Sequence, residues 1–238
     1  YAKKPQYIYI SLILNKGNIM RKIIAALVTS VALVFSTSAY AVDPSQISIG
    51  ISGNFGGFVA DGKEENYTHT GTLEETTTKD GAAFAAGYAS IFVEYAVNDQ
   101  ISIGLDHVPE AIETPQNVNP EGATGKDIEI KVKAEFEELT TLYVLAKSDI
   151  GVYGKFGISN MNIDITSENA GTYADPGDTT GFQLGVGYMH EAADGVSVRA
   201  ELAYHEFDDV SANNGQTDKN EIKVSNMQGG TARISLVK

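Results

Sequence analysis

Hydrophobic residues recur at every second position along much of the chain after residue 46. Ile47, Ile49 and Ile51 alternate with serine and glycine, and the same alternation returns at Ile234 and Leu236. A period of two residues is typical of a β-strand with one apolar and one polar face. The pattern predicts eight strands, at residues 47–55, 91–97, 101–105, 138–147, 150–158, 182–188, 196–204 and 232–236.

The fourth predicted strand is unusual because both of its faces are apolar. Its sequence, ELTTLYVLAK, leaves the direction of its side chains open. Just before it, Ile128, Ile130 and Val132 alternate with charged residues. This continuity favours one longer strand that contains a bulge near Glu137.

The connections between the predicted strands alternate in length. Tight turns are expected at 98–100, 147–149 and 193–195, and long polar connections at 61–81, 107–127, 164–180 and 208–224. Strands joined in this way form an up-and-down meander with all long connections at one end. The long connections hold most of the acidic residues, so we expect acidic loops at that end.

A basic, an apolar and a small-residue segment precede the strands in this order. Met20 is followed by the basic residues Arg21 and Lys22, residues 23–35 are apolar, and Ala39 and Ala41 form an A-x-A cleavage motif. This order is typical of a secretory signal peptide, and the apolar run is shorter than the roughly 20 residues of a spanning helix. A membrane anchor or a buried helix is the alternative. Residues 1–19 have no periodic pattern, and we interpret them as translated upstream sequence.

Composition excludes several classes of function. The predicted mature chain, residues 42–238, holds 12 Lys and Arg against 31 Asp and Glu, a formal net charge of −19. Such an acidic chain argues against nucleic acid as a partner, because phosphates are bound by Lys and Arg. The chain has no cysteine, which excludes disulfides, zinc–thiolate sites and cysteine nucleophiles.

Alternation alone does not decide whether the apolar face meets lipid or a soluble core, so a soluble sandwich stays open at this point. Two features favour lipid outside. Tyr95, Tyr188 and Tyr204 share the apolar phase near strand ends, as an aromatic girdle would. The opposite phase carries charges that cannot fill a dry core but can pair within the narrow interior of an eight-stranded barrel. These charges are Glu94, Asp106, Lys155, Arg199, Glu201 and Arg233. We predict an interior polar network of Glu94, Lys155, Arg199, Glu201 and Arg233.

One hairpin resembles a known family. Residues 185–209, GVGYMHEAADGVSVRAELAYHEFDD, contain the pattern D-x-x-S-x-R-x-E-x-x-Y, with Arg199 and Glu201 in the inward phase. This hairpin is similar to the sixth-to-seventh strand hairpin of small bacterial outer-membrane β-barrel proteins, a group that includes opacity-type surface proteins and the transmembrane part of outer-membrane protein A. Family chains commonly end in an aromatic residue, so we expect the sequence to continue about two residues past Lys238.

The resemblance implies an all-β fold: an eight-stranded antiparallel up-and-down transmembrane barrel over residues 42–238. It implies the outer membrane of a Gram-negative bacterium as the location. Outer-membrane lipid and the outer-membrane assembly machinery are the partners it implies. Members of the family act as structural envelope proteins, adhesins or small channels, so the resemblance leaves the role open.

No chemistry-bearing motif stands out. The four histidines make no metal signature, and we expect no catalytic, cofactor-binding or metal-binding residue. The nearest catalytic candidate pairs His205 with Ser211, and the nearest calcium candidate is the segment 175–178; we interpret them as barrel-mouth and turn residues.

Our leading hypothesis is therefore a non-enzymatic barrel with a structural or surface-interaction role, whose acidic loops face an extracellular ligand. A small porin-like channel for polar or cationic solutes is the first alternative, because a negative mouth attracts cations. A soluble periplasmic lipocalin-like binder is the second.

Overall fold

Eight antiparallel strands close into a ring in the computed structural model, which confirms the predicted fold class. The structure describes residues 44–68, 70–114, 117–121, 128–168, 176–193, 195–214 and 220–238. The predicted upstream segment, the signal peptide and its cleavage residues Ala39 and Ala41 lie outside these ranges, so they stay predictions.

The ring uses most, but not all, of the strands in the described ranges. The strands are β1 (Ile47–Tyr67), β2 (Leu73–Ala96), β3 (Ile101–His107), β4 (Ile112–Glu113), β5 (Asn117–Glu121), β6 (Ile128–Lys147), β7 (Val152–Glu168), β8 (Gly177–Ala193), β9 (Val196–Phe207), β10 (Val210–Asn213) and β11 (Asn220–Val237). The ring order is β1-β2-β3-β6-β7-β8-β9-β11, and β11 pairs with β1 to close it. The short strands β4 and β5 pair with β6, and β10 pairs with β11.

Two units can be separated along the chain, residues 1–47 and residues 48–238. The first is described only at its end, where Pro44–Gln46 form a single 3₁₀ turn before Ile47. The second contains the barrel. Among the described residues, no helix has the length and apolar character needed to cross a membrane.

The apolar phase of each ring strand points away from the lumen. Ile51, Phe55 and Leu202 keep 59%, 65% and 65% of their surface exposed. Along β1 this apolar band runs from Ile49 to Val59, which spans about 25 Å when the strand is tilted by about 40°. A soluble sandwich would bury these side chains in its core. Their exposure therefore excludes the soluble alternative, in which the apolar face points inward.

Tyrosines mark both edges of the apolar band. Tyr95 and Tyr188 lie on the outer wall near the short-turn end, and Tyr204 lies on the outer wall near the opposite end. The Tyr204 ring packs against Phe182 at a centroid distance of 6.1 Å. Amphipathic rings at these levels match an aromatic girdle.

The bulge expected in β6 is confirmed. The pairing of β6 with β7 shifts register between Glu137 and Thr140, and Glu138 has a positive φ of 53°. Past this bulge Tyr143 and Leu145 are buried inside, whereas Val144 is exposed outside. The bulge therefore sets the facing that the apolar sequence left open.

The strands continue beyond the apolar band at the end with the long connections. The prediction of a loop over 61–81 was wrong in most of its length, because β1 and β2 run on to a turn at 68–72. Strand also reaches into 107–127, 164–180 and 208–224. Alternation gave no warning, since side chains on both faces of these extensions are largely polar. Backbone pairing, which does not depend on side-chain polarity, continues the ladders.

A polar clip holds one such extension together. The Asn226 side-chain amide donates to Asp61 Oδ2 at 2.8 Å, and the Asp61 carboxylate also accepts from the Gly81 N–H at 2.8 Å. Asn226 has a φ of 54° and sits where the pairing of β1 with β11 changes register after Val59. The clip thus joins β11, β1 and β2 just above the band.

Candidate functional site

Six charged side chains meet inside the barrel near its short-turn end. They come from β2, β3, β7, β9 and β11, and each is nearly inaccessible to solvent. We call them the ionic layer: Glu94, Asp106, Lys155, Arg199, Glu201 and Arg233. Three acids and three bases balance the formal charge, as burial in a narrow lumen requires.

The first pair joins β9 to β2 across the lumen. The Arg199 Nη1 and Nη2 atoms donate to the two carboxylate oxygens of Glu94, each at 2.6 Å. Tyr143 on β6 donates its hydroxyl hydrogen to Glu94 Oε1 at 2.7 Å. A bidentate, charge-assisted contact of this kind is both strong and directional.

The second pair lies between β7 and β9. Lys155 Nζ forms an ion pair with Glu201 Oε1, and Tyr153 donates to Glu201 Oε2 at 3.0 Å. The Lys155 ammonium also lies 5.1 Å from the centre of the Tyr143 ring, within the range of a cation–π contact.

The third pair connects β11 with β3. Arg233 Nη2 binds Asp106 Oδ2, and Arg233 Nε donates to Ser235 Oγ at 3.1 Å. The Phe92 ring lies 5.0 Å from the Arg233 guanidinium and 5.6 Å from that of Arg199. Phe92 therefore fills the space between two of the three pairs.

Of the five residues predicted for the interior, the structure brings together Glu94 with Arg199 and Lys155 with Glu201. The partner of Arg233 is Asp106, which the sequence placed in the inward phase but which the predicted network omitted. The net charge of the predicted network indicated a missing acid, because its five residues comprise three bases and two acids. An unpaired buried charge is costly, so the polar phase of the predicted strands had to supply one more acid.

Inward glycines make room for the aromatic rings of this layer. Gly104 is paired directly with Tyr143, and Gly187 with Tyr153. A Cβ at either glycine would overlap the tyrosine ring, whose edge lies over the bare backbone. Glycine opposite an aromatic residue is a recurrent device in closed sheets. Two bulky rings can thus share an eight-stranded lumen with six charged groups.

A layer of neutral polar groups lies above the ions. Thr141 Oγ1 and Ser159 Oγ are 2.8 Å apart, and His205 Nε2 lies 2.9 Å from Thr231 Oγ1. His205 is also stacked on Phe207, with ring centroids 6.4 Å apart. These contacts link β6 to β7 and β9 to β11 through neutral side chains.

Above His205 the inward phase changes from polar to apolar. Phe58, Phe84 and Phe136 stack in sequence, with successive centroid distances of 5.4 and 5.6 Å. The buried members of this upper apolar cluster are Phe58, Val108, Ile112, Phe136, Leu139, Met161, Ile163, Phe207 and Met227. Sequence reasoning missed the cluster because it treated the inward phase as uniformly polar along each strand.

Beyond the barrel, one carboxylate is held by two lysines. Glu65 forms an ion pair with Lys63, accepts a hydrogen bond from Tyr67 at 2.8 Å and lies 3.3 Å from Lys223. The Lys63 contact, followed by that of Tyr67, lowers the pKa of Glu65 to about 2. The hairpin therefore keeps this carboxylate charged over the physiological range.

The structure does not bring together the residues of the candidate catalytic pair, His205 and Ser211. His205 lies inside the barrel against Thr231, whereas Ser211 is exposed on β10 opposite Lys223. Asp175, of the calcium candidate, lies outside the described residues. Within the described part of the chain, no three His, Asp or Glu side chains converge to hold a metal ion.

Comparison with protein families is decisive for the class of protein. The model of the outer membrane protein β-barrel domain matches residues 27–228. The chain belongs to this family. Its location is accordingly the outer membrane of a Gram-negative bacterium, and its exposed apolar band faces lipid. No curated protein sequence matches the chain.

One solved structure shows the same fold at low sequence identity, and two others are similar to the chain to a lower degree. The outer membrane protein OprG from Pseudomonas aeruginosa is 13% identical, with 80% of this chain and 95% of that chain covered and a TM-score of 0.52. Outer membrane protein AlkL, solved in DMPC bilayers, is 13% identical over 85% and 95% of the two chains, with a TM-score of 0.45. Outer membrane protease OmpT from Escherichia coli is 10% identical over 85% and 99%, with a TM-score of 0.43.

Proposed function

We propose that this outer-membrane protein is a non-enzymatic, closed barrel that anchors an acidic interaction surface outside the cell. The filled lumen is the observation that carries the proposal. Three ion pairs and the rings of Phe92, Tyr143 and Tyr153 occupy its lower part, and the upper apolar cluster occupies its upper part. An eight-stranded barrel has little interior volume beyond its own side chains.

The strand extensions support the surface role. They lift the polar hairpins beyond the apolar band, where acidic side chains such as Glu74, Glu75 and Asp208 are exposed. Ladders of paired backbone hold these residues at a fixed distance from the lipid, which unstructured loops would not do. A carboxylate-rich surface of this kind favours cationic partners.

A small pore for cationic solutes is the second candidate, and the same acidic surface favours it. Recordings in planar lipid bilayers separate the two. The full chain, refolded and inserted, is expected to give no steady openings under conditions in which a general diffusion porin conducts. Steady openings of the unmodified protein would refute the closed barrel and favour the pore.

The surface role is tested on whole cells. Replacing residues 62–80 by a short Asn-Gly turn removes the β1–β2 extension and leaves the ring strands intact. We expect cells that make this variant to adhere less to amine-coated surfaces than cells with the unmodified protein. A heat-modifiable gel shift checks that both barrels are folded, and equal adhesion with both folded would count against the surface role.

A further inference from the structure

The β1–β2 hairpin beyond the band has an edge that no described strand covers. On one side β2 pairs with β1, and on the other side it pairs with β3 only from Ile91 to Ala96. Among the described residues, β4 lies beside the part of β2 around Phe84 and Ala86 without pairing with it, and β4 and β5 both pair with β6. The upper part of β2 therefore presents a row of backbone N–H and C=O groups along one edge.

The same part of β2 is also uncovered on both faces. From Leu73 to Ala83 the described side chains are exposed, including an apolar one, Leu73, with 49% of its surface exposed. In this extension β1 pairs with β11, and β11 pairs with β10, so β2 is the outermost strand of the ladder. A strand added to the β2 edge would extend this ladder by main-chain hydrogen bonds.

The acidic character of the hairpin indicates which kind of segment could be added to the β2 edge. Residues 61–80 contain six acidic side chains and two lysines. Glu74 and Glu75 are both exposed on the edge strand itself. A second copy of this chain would bring like charges together across the new pair, which is unfavourable. An extended segment rich in lysine or arginine would instead place opposite charges opposite each other.

We propose that the β2 edge between Leu73 and Asp80 binds an extended, cationic peptide segment by adding it as a third strand. Main-chain hydrogen bonds to the edge supply affinity, and the side chains of Glu74 and Glu75 select for basic residues. Thr76, Thr77 and Thr78 favour this geometry because β-branched residues prefer extended backbone. This inference rests on the proposed surface role and names its partner class.

Fluorescence anisotropy with a labelled nine-residue peptide of alternating threonine and lysine tests the proposal on the full chain in lipid nanodiscs. We expect saturable binding, and weak or no binding of the matched threonine–glutamate peptide. A threonine–lysine peptide N-methylated at its four central residues keeps the charge but cannot pair along either edge. Equal binding of the methylated peptide would show charge attraction without strand addition, and would overturn the proposal.

Charge variants place the site on the chain. The double substitution Glu74→Gln with Glu75→Gln is expected to weaken binding about fivefold, from two cross-strand pairs of opposite charge. The matched control, Asp99→Asn with Glu191→Gln, removes the same charge from exposed positions at the short-turn end and should leave binding unchanged. Equal weakening in both variants would exclude the β2 edge as the site.

Amide hydrogen exchange gives an independent readout of strand addition. The threonine–lysine peptide should slow exchange at residues 73–80 and not in the ring strands of the band. Binding without this protection would refute the inference. Because channel recordings do not depend on the peptide, a failure here is distinguishable from a failure of the closed-barrel proposal.

Discussion

Arg199 and Glu94 are 105 positions apart in sequence, yet their side chains meet through two parallel hydrogen bonds of 2.6 Å inside the barrel, near its short-turn end. Removing one partner leaves a buried charge without its counter-ion, which costs about 3–5 kcal/mol. We therefore expect Arg199→Gln to lower the free energy of unfolding by roughly this amount. Urea titration of the folded barrel in lipid vesicles measures it.

The control for this pair is the neutral double variant. Combining Arg199→Gln with Glu94→Gln removes both charges at once and leaves two amides that can bond to each other. We expect the double variant to be more stable than either single variant. Additive losses would mean that the two side chains are not coupled in the folded state.

Glycine at the tyrosine contacts gives a second prediction. In Gly187→Ala the new methyl group would collide with the Tyr153 ring and approach the Ala200 carbonyl, so we expect a loss of about 1–3 kcal/mol. Gly154→Ala on β7 is the matched control, since nothing lies within 4 Å of a Cβ there. Comparable unfolding midpoints for the two variants would contradict the assigned role of Gly187.

The ionic layer and the upper apolar cluster each fill the lumen, so we expect the barrel to conduct ions only when both are disrupted. Replacing both Lys155 and Glu201 by serine empties part of the ionic layer but leaves the upper apolar cluster in place. We expect no steady channel openings from this variant. Adding Phe58→Ala and Phe207→Ala should produce openings in planar bilayers, because both levels are then thinned. Openings from the serine variant alone would show that the apolar cluster does not seal.

The hairpin above the band should respond to acid in a defined direction. The folded-state pKa of Glu65 is about 2, below the ordinary value of 4.5, chiefly because of Lys63. The stabilisation is therefore complete above about pH 4.5 and is lost as the pH falls toward 2. Amide exchange at residues 61–67 should accelerate over that interval.

Substitution of Glu65 tests this assignment. In Glu65→Gln the acceleration between pH 4.5 and 2 should be much weaker, since the titrating carboxylate is absent. Glu75→Gln, which removes an exposed carboxylate of the same hairpin, should retain it. An unchanged profile in Glu65→Gln would assign the response to another group.

The ring was predictable from sequence because lipid and lumen impose opposite polarity on neighbouring residues. Ile49 and Ile51 face outward while Ser52 and Asn54 face inward. This contrast does not hold in β6, where Tyr143 and Leu145 lie inside and Val144 lies outside. The same contrast predicted which phase holds Arg199 and Glu201. Alternation therefore carries information wherever the two faces of a strand meet different surroundings.

The ion partners were not predictable from alternation. Asp106 meets Arg233 only because closure of the ring leaves just β1 and β2 between β11 and β3, within reach across the narrow lumen. The strand extensions were not predicted for a different reason. Both faces of the β2 extension meet water, so residues such as Glu74 and Thr76 show no alternation of apolar and polar side chains. Prediction of the upper apolar cluster would have required the depth of each inward side chain along the barrel axis, which alternation does not give.

Ile49 and Lys238 exchange both backbone hydrogen bonds, of 2.7 and 2.9 Å, where β1 meets β11. This seam joins residues from opposite ends of the barrel sequence, so the cylinder cannot be completed while the last strand is missing. Until then, both margins of the sheet expose polar backbone that hydrocarbon will not accept. We therefore expect ring closure to accompany insertion into the membrane, with the contact of longest sequence separation formed last.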